Sequence, residues 1–129
     1  MRNARFTSEF GKEIFVLTFD VENPDDALPL IRECARKVQS RPKDSVLTLT
    51  VIKTGKFTPK LVTELQKLAL GNKPYVHRAA MVGVTKLNEI AINAVSLFSK
   101  REFKVFEYEQ TAINYLQSAE IGAHHRQVS

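Results

Sequence analysis

Between Tyr75 and Ser118 the spacing of apolar positions changes period three times. Ala79 to Val84 is a short run of small apolar residues, suited to a crowded strand buried on both sides. Thr85 then caps a helical rhythm, Lys104 to Tyr108 returns to a strand-like run, and Glu109 to Ser118 closes with Ala112, Ile113, Tyr115 and Leu116 on one helical face. The first half of the chain shows the same alternation. Arg5 to Phe10 and Glu13 to Phe19 form two strands around a tight turn in which Gly11 supplies the backbone freedom. In the second strand Ile14 and Val16 point one way and Phe15, Leu17 and Phe19 the other, so both faces are apolar and cover is expected on both sides.

Asn23-Pro24-Asp25-Asp26 opens a first helix: a capping amide, a proline at the first helical position and two carboxylates near the positive end of the dipole. It runs to about Ser40. Ala27, Leu28, Leu30, Ile31, Cys34, Ala35 and Val38 fall on one arc of about 160° at the helical 100° per residue, which turns Cys34 toward the core. Ser45 to Val51 is a β-branched strand, followed by the loop Lys53-Thr54-Gly55-Lys56-Phe57. A second helix starts at Thr58-Pro59, buries Leu61, Val62, Leu65, Leu68 and Ala69, and stops at Gly71, Asn72 and Pro74. Strands alternating with helices predict an α/β fold: one mixed, mostly parallel sheet, an antiparallel strand added by the N-terminal hairpin, and about four helices. One domain is expected over 5–118, with a flexible tail over 119–129.

Composition narrows the function classes. With 129 residues, 43% apolar and 26% charged, the chain suits a single self-sufficient core. One cysteine, Cys34, excludes an intramolecular disulfide and a multi-cysteine metal cluster. The first residues lack the apolar stretch of a signal peptide, and no run approaches the ~20 residues of a bilayer span, so a cytoplasmic protein without stable membrane insertion is expected. The net charge of +5 raises nucleic acid as a partner, but the basic residues are dispersed and lack interleaved aromatics, so none is expected.

The run Arg78-Ala79-Ala80-Met81-Val82-Gly83-Val84-Thr85, followed by Phe103-Lys104-Val105-Phe106 and then Glu109, Ala112, Ile113, Tyr115 and Leu116, resembles the STAS-like domains. More narrowly it is similar to the bacterial branch related to anti-sigma-factor antagonists, sometimes grouped with Sec14-like lipid-binding domains. The resemblance spans Arg5 to about Ser118. It implies a non-catalytic regulatory or scaffolding module that binds another protein, and its Sec14-like side implies a small apolar ligand. Regulatory members carry a phosphorylatable serine after an aspartate at the start of the helix following a central strand. Here that junction reads Lys53-Thr54-Gly55-Lys56-Phe57-Thr58-Pro59, with no Asp-Ser pair, which puts a kinase-driven switch in doubt.

Thr58 stands at a helix N-terminus, where a phosphate meets free N–H groups; capping alone also explains a threonine there. Thr54, Lys56 and Thr58 after one strand, with Thr85 and Lys86 after the next, make a candidate anion site or phospho-site at the carboxyl edge of the sheet. Gly55-Lys56 is not a phosphate-binding loop, because Thr50 stands where the first glycine is needed and Phe57 follows the lysine. In the third helix Leu87, Ile90, Ala91, Ala94, Val95, Leu97 and Phe98 fill the side expected to face the core. Ile92 widens the apolar arc to about 220°, more than one sheet face requires. Ile92 and Leu97 are therefore candidate interface residues for a homodimer, with packing inside the monomer or an apolar ligand as the other ways to cover the surplus. His77 and His124-His125 share no element with metal-ligand spacing, and Asp20 and Glu22 fit a strand end. No catalytic residue, metal or cofactor is singled out. A protein partner leads, a small apolar or anionic ligand follows, and a small enzyme of unknown reaction is the third reading, without an acid, base or nucleophile in the sequence to support it.

Overall fold

The computed structural model describes residues 3–53 and 56–120. Five strands, β1 (Ala4–Thr7), β2 (Ile14–Phe19), β3 (Val46–Ile52), β4 (Val76–Val82) and β5 (Lys104–Phe106), lie side by side in chain order. β1 pairs antiparallel with β2 through the hairpin, and every later pair is parallel. Gly11 turns the hairpin with φ at +119°. The helices are α1 (Leu28–Val38), α2 (Pro59–Asn72), α3 (Lys86–Ser99) and α4 (Glu109–Gln117), and a single 3₁₀ turn at Pro24–Ala27 leads into α1. The predicted α/β architecture is the one observed.

Each parallel crossover moves to the next strand in the same direction, so crossovers of common handedness place α1, α2 and α3 on one face of the sheet. That face carries Phe15, Leu17, Phe19, Ile52 and Met81 against Leu30, Ile31, Cys34, Leu61, Leu65, Ile92 and Val95. The opposite face carries Ile14, Leu47, Leu49, Val51, Ala80 and Val82, covered by Ala112, Ile113 and Leu116 of α4. The opposed sides of β2 are thus both buried, as its sequence requires. Ala119 is fully buried in the α4 layer, so the domain continues past the 118 boundary expected from sequence; residues 121–129, with the rest of the expected tail and His124-His125, lie outside the described residues.

Local chemistry sets the ends of these elements. Asn23 Oδ1 accepts the Asp25 N–H at 3.0 Å, and Thr58 Oγ1 accepts the Leu61 N–H at 3.2 Å, each satisfying a donor that the first helical turn leaves open. β4 begins at Val76, three residues before the apolar run that announced it, because Val76 and Arg78 already pair with Val46 and Leu47. β5 stops at Phe106, two residues early, where its pairing with Val82 ends.

Candidate functional site

α3 is turned against expectation. Its buried residues are Asn88, Ile92, Val95 and Ser99, a stripe at spacings of four, three and four residues, while Leu87 is 85%, Ile90 81%, Leu97 81% and Phe98 53% exposed. Ile92 is a core residue and not an interface residue, which corrects the expectation for it; Leu97 remains on the surface. The cause is polar. Asn88 Oδ1 accepts the Thr85 N–H at 2.7 Å and Asn88 Nδ2 donates to the Gly83 carbonyl at 3.4 Å, so this side chain closes the helix start and must face inward. Ser99, three turns on, donates its hydroxyl to the Val95 carbonyl at 2.7 Å and is buried at no hydrogen-bonding cost. Because both polar groups are satisfied locally, the inner face does not need to be apolar throughout. The wide apolar arc is present, but most of it points to solvent.

The exposed part of that arc is ordered along the helix. Leu87, Ala91, Ala94 and Phe98 recur at four, three and four residues, and Ile90, Ala94 and Leu97 at four and three, which is the spacing of a helix that packs along another helix. Small side chains, Ala91 and Ala94, sit in the middle with bulky ones toward both ends. The polar arc of the helix carries Lys86, Glu89, Asn93 and Lys100.

Beneath α3 lies a cavity of about 60 Å³ between the α1–α3 layer and the sheet. Its walls are mostly apolar, with Phe19, Leu65, Met81 and Ile92 among them, and its polar groups are Cys34, Thr48, Thr50, Asn72 and Arg101. Asn72 is buried at the α1–α2 seam, where its Oδ1 accepts from Gln39 Nε2 at 3.0 Å and its Nδ2 donates to Cys34 Sγ at 3.5 Å. Burial pushes the Cys34 thiol up to about 12 against the opposing pull of that hydrogen bond, so it stays protonated and unreactive at neutral pH. Burial likewise pushes Arg101 down to about 10, still a cation in neutral solution. The cavity is well below the ~150 Å³ that accommodates a benzene ring. In this shape it has no room for an acyl chain.

Of the residues singled out for an anion, Lys56 and Thr58 lie beyond the carboxyl end of β3 and Thr85 and Lys86 beyond that of β4, and the two strands are neighbours in the sheet. Thr58 caps α2 as described above, Thr85 precedes α3 with its N–H bonded to Asn88, and Lys56, Thr85 and Lys86 are exposed. Thr54 lies outside the described residues. Neither the apolar cavity nor a second, polar groove at the other end of the sheet is lined by Lys56, Thr58, Thr85 or Lys86. The signal for that polar groove is hard to see in the sequence, because its charged residues come from two stretches, 73–78 and 100–104, that are distant along the chain. Among the described residues no group of three or more His, Cys, Asp or Glu side chains is placed to hold a metal ion, and no helix is long and apolar enough to cross a membrane. No family model, curated protein or solved structure matches this chain.

Proposed function

We propose that this chain is a non-catalytic regulatory or scaffolding module that works by protein–protein binding, and that the outer face of α3 pairs with the same face of a second copy. The observation that carries this reading is the row Leu87, Ile90, Leu97 and Phe98, four large apolar side chains at least half exposed on one helix. Together they present on the order of 500 Å² of apolar surface, at the upper end of what a monomer ordinarily leaves bare. It is also a large share of the ~800 Å² per partner that a standard interface buries.

The distribution of bulk favours a copy of the same chain. A two-fold axis beside Ala94, with the two helices antiparallel, sets Ala91 opposite Leu97 and Ile90 opposite Phe98, so small side chains meet large ones and the Ala94 pair allows close approach. The same axis places the N-terminal end of each helix beside the C-terminal end of the other, so the dipoles oppose. A STAS-like regulatory role, acting through protein contacts without the Asp-Ser switch, is compatible with such a surface. An apolar ligand under α3 is the second reading, and it requires the cavity to enlarge by displacement of that helix.

Native mass spectrometry of the purified protein tests both. A dimer that becomes monomeric in Leu97→Glu and Ile90→Glu, with unchanged circular dichroism, supports the α3 pairing. A monomer at ~50 µM overturns it, and a discrete added mass on the wild-type protein turns attention to the cavity.

A further inference from the structure

At the amino ends of β4 and β5, the edge of the sheet opposite Lys56 and Lys86, the surface opens into a polar groove of about 670 Å³. Lys73 ends α2, Arg78 lies on β4, Lys100 and Arg101 follow α3, and Lys104 begins β5; Glu102 is the one carboxylate in the lining. Lys100 takes the left-handed conformation, φ at +54°, and its N–H returns to the Ser96 carbonyl, a turn that carries the chain from the helix end into the groove wall. Five cations against one acid is a sharp local imbalance in a chain of 19 basic and 14 acidic residues.

Ion pairs take up some of the basic side chains elsewhere, although Arg32, Lys43, Lys53, Lys56, Lys60 and Lys86 are without one among the described residues. Arg5, Arg36, Lys37, Arg41 and Lys67 each meet a glutamate, but among the described residues none of the five groove cations joins an ion pair. Two of the five are held in place. Arg78 donates from Nη1 to the Tyr115 carbonyl at 2.8 Å and to Ser118 Oγ at 3.0 Å, with its guanidinium 4.7 Å from the Tyr115 ring centre. Arg101 donates from Nη1 to the Ala69 carbonyl at 3.3 Å and lies 4.8 Å from the Phe103 ring centre. Each guanidinium has five N–H donors; Arg78, anchored through one nitrogen, keeps most of its fork available, while Arg101 borders both the apolar cavity and the groove and offers the groove only part of its fork.

We propose that this groove binds a phosphate-bearing small molecule with at least two negative charges, its oxyanions taken by Arg78 and Arg101 and its remaining charge balanced by Lys73, Lys100 and Lys104. One preset guanidinium fork and part of a second match phosphate oxygens, and three flexible ammonium groups add charge that a single carboxylate cannot neutralise. The volume exceeds that of one phosphate and suits a diphosphate or a phosphorylated sugar. Glu102 in the wall and the His77–Asp44 pair, 3.0 Å apart, bound the positive zone. A bounded zone favours a compact ligand over a nucleic-acid strand, which must enter and leave along a continuous basic path.

Titration calorimetry with inorganic pyrophosphate at constant ionic strength near 0.15 M tests this. The expected result is saturable one-to-one binding, weakened about tenfold in Arg78→Gln and severalfold in Lys104→Gln, and unchanged in Lys86→Gln at the opposite edge. Because Arg78 also anchors α4, Lys104→Gln, on an exposed side chain, keeps the test valid if Arg78→Gln fails to fold. Absence of saturable binding up to ~10 mM overturns the proposal. So does an equal loss in Lys86→Gln, which marks a diffuse charge effect, and so does a twelve-residue oligothymidylate that binds more tightly than pyrophosphate with a steep salt dependence.

Discussion

A β-carbon built on Gly83 falls 2.0 Å from the carbonyl oxygen of Ile52, inside any tolerable contact. Gly83 leaves β4 with φ at +88°, and the neighbouring end of β3 lies against it. Two costs therefore add in Gly83→Ala: about 1–2 kcal/mol for a side chain in the left-handed region, and displacement of a β3 carbonyl. The Gly83 carbonyl also accepts from Asn88, so the displacement is felt at the start of α3. A loss of about 3 kcal/mol or more in urea unfolding is expected, and a loss under about 1 kcal/mol shows that the two strand ends separate freely.

The inverted orientation of α3 separates two isoleucines only two residues apart, Ile92 on the core side and Ile90 on the outer side. Ile92→Ala removes a buried side chain beside an existing cavity and should cost about 2–4 kcal/mol. Ile90→Ala, on the bare face, should change monomer stability by no more than about 0.5 kcal/mol. Thermal denaturation under dilute conditions, where association does not contribute, compares them directly. If the two losses are equal, or Ile90→Ala costs more, α3 does not face the core in this orientation.

Asn88→Ala tests why the helix turns this way. The substitution strips an acceptor from the Thr85 N–H and a donor from the Gly83 carbonyl at a fully buried position. A loss of about 1–3 kcal/mol follows from two broken bonds and the groups left without partners. Asn88→Asp keeps the acceptor for Thr85 and should recover part of that loss. Equal destabilisation by both variants, measured in urea, excludes the capping role.

Those variants also mark where sequence reasoning reached its limit. β2 was readable because period-two alternation assigns Phe15, Leu17 and Phe19 to one face whatever the rest of the chain does, and the buried clusters agree. Cys34 was readable because six apolar neighbours on its arc leave one inward direction. α3 was not, because a 220° arc contains several possible inward directions and the choice is made by Asn88 and Ser99, whose burial depends on hydrogen bonds local to the helix ends. The amino-edge groove was hidden for another reason. Lys73 and Arg78 are far along the chain from Lys100, Arg101 and Lys104, and only the parallel register of Ala80 with Lys104 brings the two stretches to one edge.

The hairpin and the end of α4 are joined by a reciprocal amide pair. Gln117 Oε1 accepts the Lys12 N–H at 2.6 Å and Gln117 Nε2 donates to the Lys12 carbonyl at 3.0 Å, while Lys12 Nζ reaches the Gln117 and Ala119 carbonyls. Gln117→Ala removes both side-chain bonds at a half-buried site and should cost about 1 kcal/mol. The larger effect is local: amide exchange at Lys12 should quicken by about tenfold while that of β3 is unchanged. Protection at Lys12 that survives the substitution means the turn holds itself.

Cys34 gives the fold an alkaline limit. Its thiol stays protonated to about 12 in the folded chain, against a reference value of 9.0, so the unfolded chain releases this proton first as pH rises. The stabilising difference is complete below pH 9 and is lost progressively from 9 to 12, at about 1.4 kcal/mol per pH unit. Arg101 acts with the opposite sign. Its folded value, about 10, lies below the reference 12.5, so the penalty for holding it charged is in force below pH 10 and is relieved between 10 and 12.5. The window from 9 to 10 therefore reports mainly on the thiol. Urea midpoints taken at pH 8 and pH 10 should fall for the wild-type protein and fall distinctly less for Cys34→Ala, once each is referred to its own value at pH 8. An equal fall in both places the alkaline loss on another group and shows that the Cys34 thiol ionises as readily in the folded chain as in the unfolded one.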